Sequence, residues 1–215
     1  MKTVKWRQIC SPHVPSTSGV YAWYYNHQLG DKDIEIFLSK LNLLKESTER
    51  CKYIEEFLNR HFFDFYIETP YQVTLKGDLK AAYSGSVEHI RYVSESVVTK
   101  IEQSPHLIRD VSNVISLTGI QFSSPLYIGM AKNLLKRLSK HKSLIEKYEA
   151  EGVPSGFSKL EDLSGEKNFA ERVIARNFNI TKLVVTFYEI DSESNQHNLI
   201  ENMLNRINYP ILGRN

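Results

Sequence analysis

The sequence predicts an α+β fold, and three observations carry that expectation. Gly19-Val20-Tyr21-Ala22-Trp23-Tyr24-Tyr25 is dense in aromatic and β-branched residues, as strands are. Leu183 to Tyr188 alternates in a period of two. Between and after these runs, apolar residues recur at helical spacing, as in Ile34, Phe37, Leu38, Leu41 and Leu44. The chain of 215 residues is long for one average domain and short for two, so a single domain carrying a large insertion fits its length.

Taken in order, Lys2 to Ser18 shows no assignable element, and Pro12, Pro15 and the Ser16-Thr17-Ser18 cluster read as a loop feeding into the next one. The strand 19–25 follows. From Asp31 the period becomes helical, and a second stripe of Cys51, Ile54, Phe57 and Leu58 makes a pair of antiparallel helices. Tyr71 to Leu79 alternates as a strand, Gly77-Asp78 is a turn candidate, and Ala81 to Val87 can pair back. Ser94–Glu102 and Leu107–Leu117 read as helices broken at Pro105, and Gly119–Pro125 reads as a connector. Tyr127-Ile128-Gly129 is a short strand ending in a glycine turn, and Asn133 is the candidate cap of a helix carrying Leu134, Leu138 and Ile145. Residues 151–165 read as a loop. Phe169, Val173, Ile174 and Phe178 form a helical stripe, and Lys182–Ile190 a strand with Leu183, Val185 and Phe187 on one side. Asp191–Asn195 reads as a turn and cap. Leu199, Ile200, Met203, Leu204 and Ile207 form a last amphipathic helix with Glu201 off the apolar stripe.

Formal net charge is +2, which argues against a tail-driven nucleic-acid binder and leaves room for a local basic groove. Such a bias exists: Lys132, Lys136, Arg137, Lys140, Lys142 and Lys147 are opposed only by Glu146. Cys10 and Cys51 are the only cysteines and no CxxC occurs, so a zinc site is not expected and two thiols suit a reducing cytoplasm. The first residues lack the apolar core of a signal peptide, and no run is long enough to span a bilayer. Arg137 and His141 lie four residues apart, one turn apart on one helix face, where a guanidinium could hold a phosphate and an imidazole move a proton. A buried histidine in the Leu134–Leu138–Ile145 stripe and a solvated basic face would explain the same residues.

The ordered set Gly19-Val20-Tyr21, Tyr127-Ile128-Gly129, Arg137, His141, Glu201, Pro210 and Asn215 resembles the GIY-YIG nuclease family. The resemblance covers residues 16–26 and 124–215. It implies a small three-stranded antiparallel sheet flanked by helices, with the two name-giving motifs on neighbouring strands. Two features depart from the family: the first motif is Gly-Val-Tyr, and about a hundred residues separate it from the second. The implied organisation is a nuclease core of residues 1–26 and 124–215, with 27–123 as an inserted, mainly helical subdomain serving DNA recognition or dimerisation. Gly119-Ile120-Gln121 is a rival first motif by spacing but lacks the tyrosine.

The implied activity is hydrolysis of DNA phosphodiester bonds, as in a restriction enzyme cutting double-stranded DNA. Glu201 would bind Mg²⁺ or Mn²⁺, which prefers one or two carboxylates plus waters. Arg137 would hold the phosphate, Tyr21 and His141 would position or deprotonate the water, and Tyr127 would hydrogen-bond the reaction centre. Asn215 would hydrogen-bond within the site. Lys132, Lys136, Lys140 and Lys142 would contact DNA. Whether Tyr21 or His141 takes the proton stays open. A homodimer is natural for cutting both strands of a palindrome. Alternatives are a catalytically silent DNA-binding or accessory module that keeps the fold, a repair nuclease, or a helical interaction protein with no nucleic-acid affinity.

Overall fold

A computed structural model of the chain describes residues 1–67, 71–76, 82–87, 93–152, 165–190 and 197–213. In order, the elements are β1 (Lys2–Lys5), β2 (Gly19–Tyr25), α1 (Asp31–Leu43), α2 (Ser47–Leu58), β3 (Tyr71–Lys76), β4 (Ala82–Val87), α3 (Glu95–Gln103), α4 (Leu107–Phe122), β5 (Tyr127–Ala131), α5 (Leu134–Glu151), α6 (Gly165–Ala175), β6 (Leu183–Glu189) and α7 (His197–Asn208). The fold class is α+β. Two compact units divide the chain, one of residues Met1–Gln28 and Ser112–Asn215, the other of Leu29–Val111. Among the described residues no helix is long and apolar enough to cross a membrane.

The first unit is built on an antiparallel sheet in the order β1-β6-β2-β5. Four strands stand where three were expected, because Lys2–Lys5 pairs with Val184–Phe187 along the free edge of β6. Four residues with one buried side chain, Val4, are too few for an alternating pattern to be read from sequence. Adding that edge makes β6 an interior strand. Leu183 to Phe187 are all buried, instead of splitting into an inner and an outer face. On β2 the alternation does hold: Tyr21, Trp23 and Tyr25 are buried on one face.

Helix α5 packs against β2, β5 and α6 through Leu134, Leu138, Ile145 and Tyr148, joined by Phe169, Ala170 and Val173 of α6. Its start follows the capping rule, as Asn133 Oδ1 accepts from the Lys136 N–H at 2.8 Å. The loop before β2 supplies further acceptors there, Thr17 O to Leu134 N (2.9 Å) and Pro15 O to Leu135 N (3.0 Å). Phe178 is buried as expected but lies past the end of α6, after a turn through Asn177 at φ 55°.

Two sequence expectations need correction. Helix α4 continues through Gly119 to Phe122, so residues 119–122 are helical and not a connector. A glycine costs a helix only about 1 kcal/mol relative to alanine, and the i−4 bonding runs on to Ser123 N–Gly119 O at 2.8 Å. In α7, Leu199, Met203 and Ile207 of the expected stripe are exposed, while its Ile200 and Leu204 are half-buried beside Glu201, Asn205 and Asn208. The apolar contact at this end comes instead from buried Pro210 and Leu212, with Leu212 N bonded to Leu126 O at 2.7 Å.

The second unit packs α1, α2 and α3 around Ile34, Phe37, Leu41, Ile54, Phe57, Val98 and Ile101. Arg50 joins all three helices, donating to Glu102 Oε1 (2.8 Å), Leu41 O (3.1 Å) and Glu102 O (3.2 Å). β3 and β4 form an antiparallel hairpin. The turn expected at Gly77-Asp78, the loop at 153–164 and the cap region at 191–195 lie outside the described residues.

Candidate active site

The site begins with a register. β2 pairs with β5 so that Tyr21 lies directly opposite Gly129, and Trp23 opposite Tyr127. The rival Gly119-Ile120-Gln121 stands in α4, away from any strand. The Tyr21 phenol lies across Gly129: a Cβ there would sit 2.6 Å from the Tyr21 oxygen, 2.8 Å from its Cζ and 2.8 Å from Tyr127 Cε1. Glycine is thus required by close approach, not by an unusual backbone angle. Gly19 is equally confined, between the Tyr188 carbonyl and the Leu134 side chain. Replacing Gly129 with Ala should displace both buried tyrosines and cost about 1–3 kcal/mol. Urea unfolding checks the stability, and the Tyr21–His141 contact should be lost with it.

From α5, Arg137 and His141 meet Tyr21 from one helix face. The Tyr21 hydroxyl lies 2.9 Å from His141 Nε2 and accepts from Arg137 Nε at 3.1 Å. The His141 ring is enclosed by four aromatic rings, Tyr21, Trp23, Tyr127 and Phe169, with centroids at 5.8, 6.2, 5.8 and 5.4 Å. Trp23 and Phe169 had no assigned role in the sequence. Only Trp23, two residues from Tyr21 and so on the same strand face, carried a readable signal.

Burial controls the protons. The Tyr21 phenol is pushed far above its ordinary range by burial first and the Tyr127 phenol second, against which the Arg137 charge and hydrogen bond pull down. Tyr127 is raised by burial, with Arg137 opposing. Burial would lower Arg137, but attraction and hydrogen bonding to Tyr21 and then Tyr127 outweigh it, so the guanidinium stays charged. His141 is pushed down to about 3 by burial, then by the charges of Arg137 and Lys140. It is a neutral imidazole at neutral pH.

A stability consequence follows. The unfolded chain binds a proton at His141 near pH 6.5, while the folded chain resists until about pH 3. The contribution is whole above pH 6.5 and is lost as pH falls through that window, by up to about 1.4 kcal/mol per pH unit. Urea unfolding at pH 7 and pH 5 should show the loss in the wild type and much less of it in His141→Gln.

Glu201 reaches the same group from α7, which packs on β5. Its carboxylate charge acts on both Tyr21 and Tyr127, and Arg137 acts on it in turn. Half-buried, it is raised above the usual carboxylate range by desolvation, with Arg137 lowering it in part. Among the described residues no group of three or more His, Cys, Asp or Glu gathers to hold a metal. A single carboxylate is nevertheless a donor set that Mg²⁺ accepts, filling the rest of its shell with water. A carboxyl held up by burial is also one that a cation would draw back to its ionised form.

Tyr21, Tyr127, Arg137, His141 and Glu201 thus come together. Asn215 lies outside the described residues. The chain leading to it is tied down, since Arg172 Nη1 donates to Gly213 O at 3.0 Å and Gly213 is buried. Lys132, just before α5, and Lys136 and Lys140, one turn apart on it, are exposed. Lys142 is half-buried, with its Nζ 5.7 Å from the centre of the Trp6 ring and 4.0 Å from Glu146, so it is directed elsewhere. Both cysteines are free. Compared with family models, curated proteins and solved structures, the chain finds no match.

Proposed function

We propose that this chain is a metal-dependent endonuclease of GIY-YIG type, hydrolysing phosphodiester bonds in double-stranded DNA as a restriction enzyme does. The observation that carries the reading is the convergence of Tyr21, Tyr127, Arg137 and His141, with Glu201 in electrostatic reach, at the β2–β5 pair. Residues separated by up to 180 positions gather there with the chemistry phosphoryl transfer requires.

Arg137 binds the scissile phosphate and the charge that grows on it in the transition state. Arg137 also donates to the Tyr21 oxygen, which lies 2.9 Å from His141 Nε2. That pair positions the attacking water, and Tyr127 orients the reacting oxygens. Burial holds the Tyr21 phenol protonated and the His141 imidazole neutral before substrate binds. Glu201 would hold the divalent cation, Mg²⁺ or Mn²⁺. When bound, that ion supplies charge stabilisation at the leaving 3′ oxygen. Lys132, Lys136 and Lys140 attract the flanking phosphates.

The test is incubation of supercoiled plasmid and genomic DNA with the protein and Mg²⁺ or Mn²⁺. Cleavage that stops in EDTA is the expected result. DNA left intact with both ions across many sequences would overturn the reading, and binding without cleavage would favour a silent DNA-binding module.

A further inference from the structure

The β3–β4 hairpin has a division of labour between its faces. Cross-strand partners are Gln72↔Ser86 and Thr74↔Ser84 on one side, and Val73↔Gly85 and Leu75↔Tyr83 on the other. Gln72, Thr74, Ser84 and Ser86 are all exposed. They form a two-by-two array of uncharged amide and hydroxyl groups, each able to donate and to accept. Between residues 71 and 87 the sequence carries Lys76 and Lys80 against Asp78 alone, so the segment is slightly basic. A two-stranded ribbon in water is only marginally stable, and this one is exposed on both faces, with Leu75 and Tyr83 64% and 68% accessible.

We propose that this ribbon reads base sequence in the major groove of duplex DNA, with the face Gln72, Thr74, Ser84 and Ser86 against the base edges; this rests on the nuclease reading above. A major groove about 12 Å wide admits a two-stranded ribbon. Residues i and i+2 on a strand stand about 6.7 Å apart, close to two base-pair steps of about 3.4 Å. Gln72 and Thr74 therefore address alternate base pairs, as do Ser84 and Ser86. A glutamine amide pairs with both the N7 and the N6 amine of adenine, while serine and threonine hydroxyls accept several bases. A protein partner would be a poorer match to this face, because interface cores favour aromatic residues and are depleted in serine.

The experiment selects binding sites from a pool of duplexes with a random 12-base-pair centre, using the full chain as Glu201→Gln and the same chain with Gln72, Thr74, Ser84 and Ser86 all changed to Ala. Plasmid cleavage by the otherwise wild-type versions runs in parallel. The expected result is an enriched motif for the first protein that the ribbon variant loses while it still binds duplex DNA non-specifically, and plasmid cleavage by the ribbon variant that is no longer confined to that motif. Guanine N7 methylation within the motif should block binding, since N7 faces the major groove. Gln72→Ala alone should lower the preference for adenine at one position by roughly fivefold or more. This single change reads out even if the fourfold variant fails to fold. An unchanged motif in the ribbon variants, or cleavage by the wild type with no motif enriched, overturns the ribbon proposal and leaves the nuclease reading standing. Neither binding nor cleavage of any duplex by the wild type overturns both.

Discussion

Replacing Glu201 by Gln should abolish Mg²⁺-dependent cleavage while the protein still folds and still binds DNA. The substitution keeps size and hydrogen bonding but removes the charge that would hold the cation. Charge stabilisation by a metal contributes several kcal/mol to such a transition state, so a loss of a thousandfold or more is expected in single-turnover cleavage. Affinity for duplex DNA should hold or rise slightly, because one anion near the phosphates is gone. Stability should move by less than about 0.5 kcal/mol: the side chain is only half-buried, and burial already disfavours its charge. Cleavage by the wild type should weaken as pH falls through the raised Glu201 pKa, since only the ionised carboxylate attracts the ion. A folded Glu201→Gln protein cutting at the wild-type rate would remove α7 from the site.

Replacing Arg137 by Ala should separate differently, lowering cleavage and affinity together. One phosphate contact is lost, so the slope of log affinity against log salt should become shallower by about one unit. Loss of a preorganised donor to the transition state should slow cleavage by a further factor of about 10²–10³. The same change removes the donor that fixes the Tyr21 oxygen and a positive charge that opposes the rise of its pKa. Arg137→Lys restores charge without the planar fork, and should recover the salt slope more fully than the rate. Filter binding across a salt series, run beside single-turnover cleavage, distinguishes the two terms. Equal salt slopes for wild type and Arg137→Ala would mean that the guanidinium touches no phosphate.

The residues of the site were readable as types in order, because chemistry restricts which side chains can serve and helix periodicity puts Arg137 and His141 on one face. The Asn133 cap was readable for the same local reason. Their convergence was not readable from the residues themselves and was expected only through the family resemblance. It depends on Tyr21 pairing across from Gly129 in register, and sequence separations of more than a hundred residues carry no information on register. The edge strand Lys2–Lys5 is formed by pairing with β6 and not by its own four residues. Its presence makes β6 an interior strand, hydrogen-bonded along both edges. The rotation of α7 misled in the opposite direction. Its Leu199, Met203 and Ile207 stripe is the stronger periodic signal, yet the half-buried face is the one bearing Glu201, where burial lifts a carboxyl and Arg137 partly offsets the cost.

The most direct measurement sequences the ends of genomic DNA incubated with Mg²⁺ and either the wild type or Glu201→Gln. The account predicts discrete ends carrying 5′ phosphates and 3′ hydroxyls in the wild-type sample, absent with Glu201→Gln and absent in EDTA. The same ends in all three samples, or no ends above background with the wild type, would contradict it.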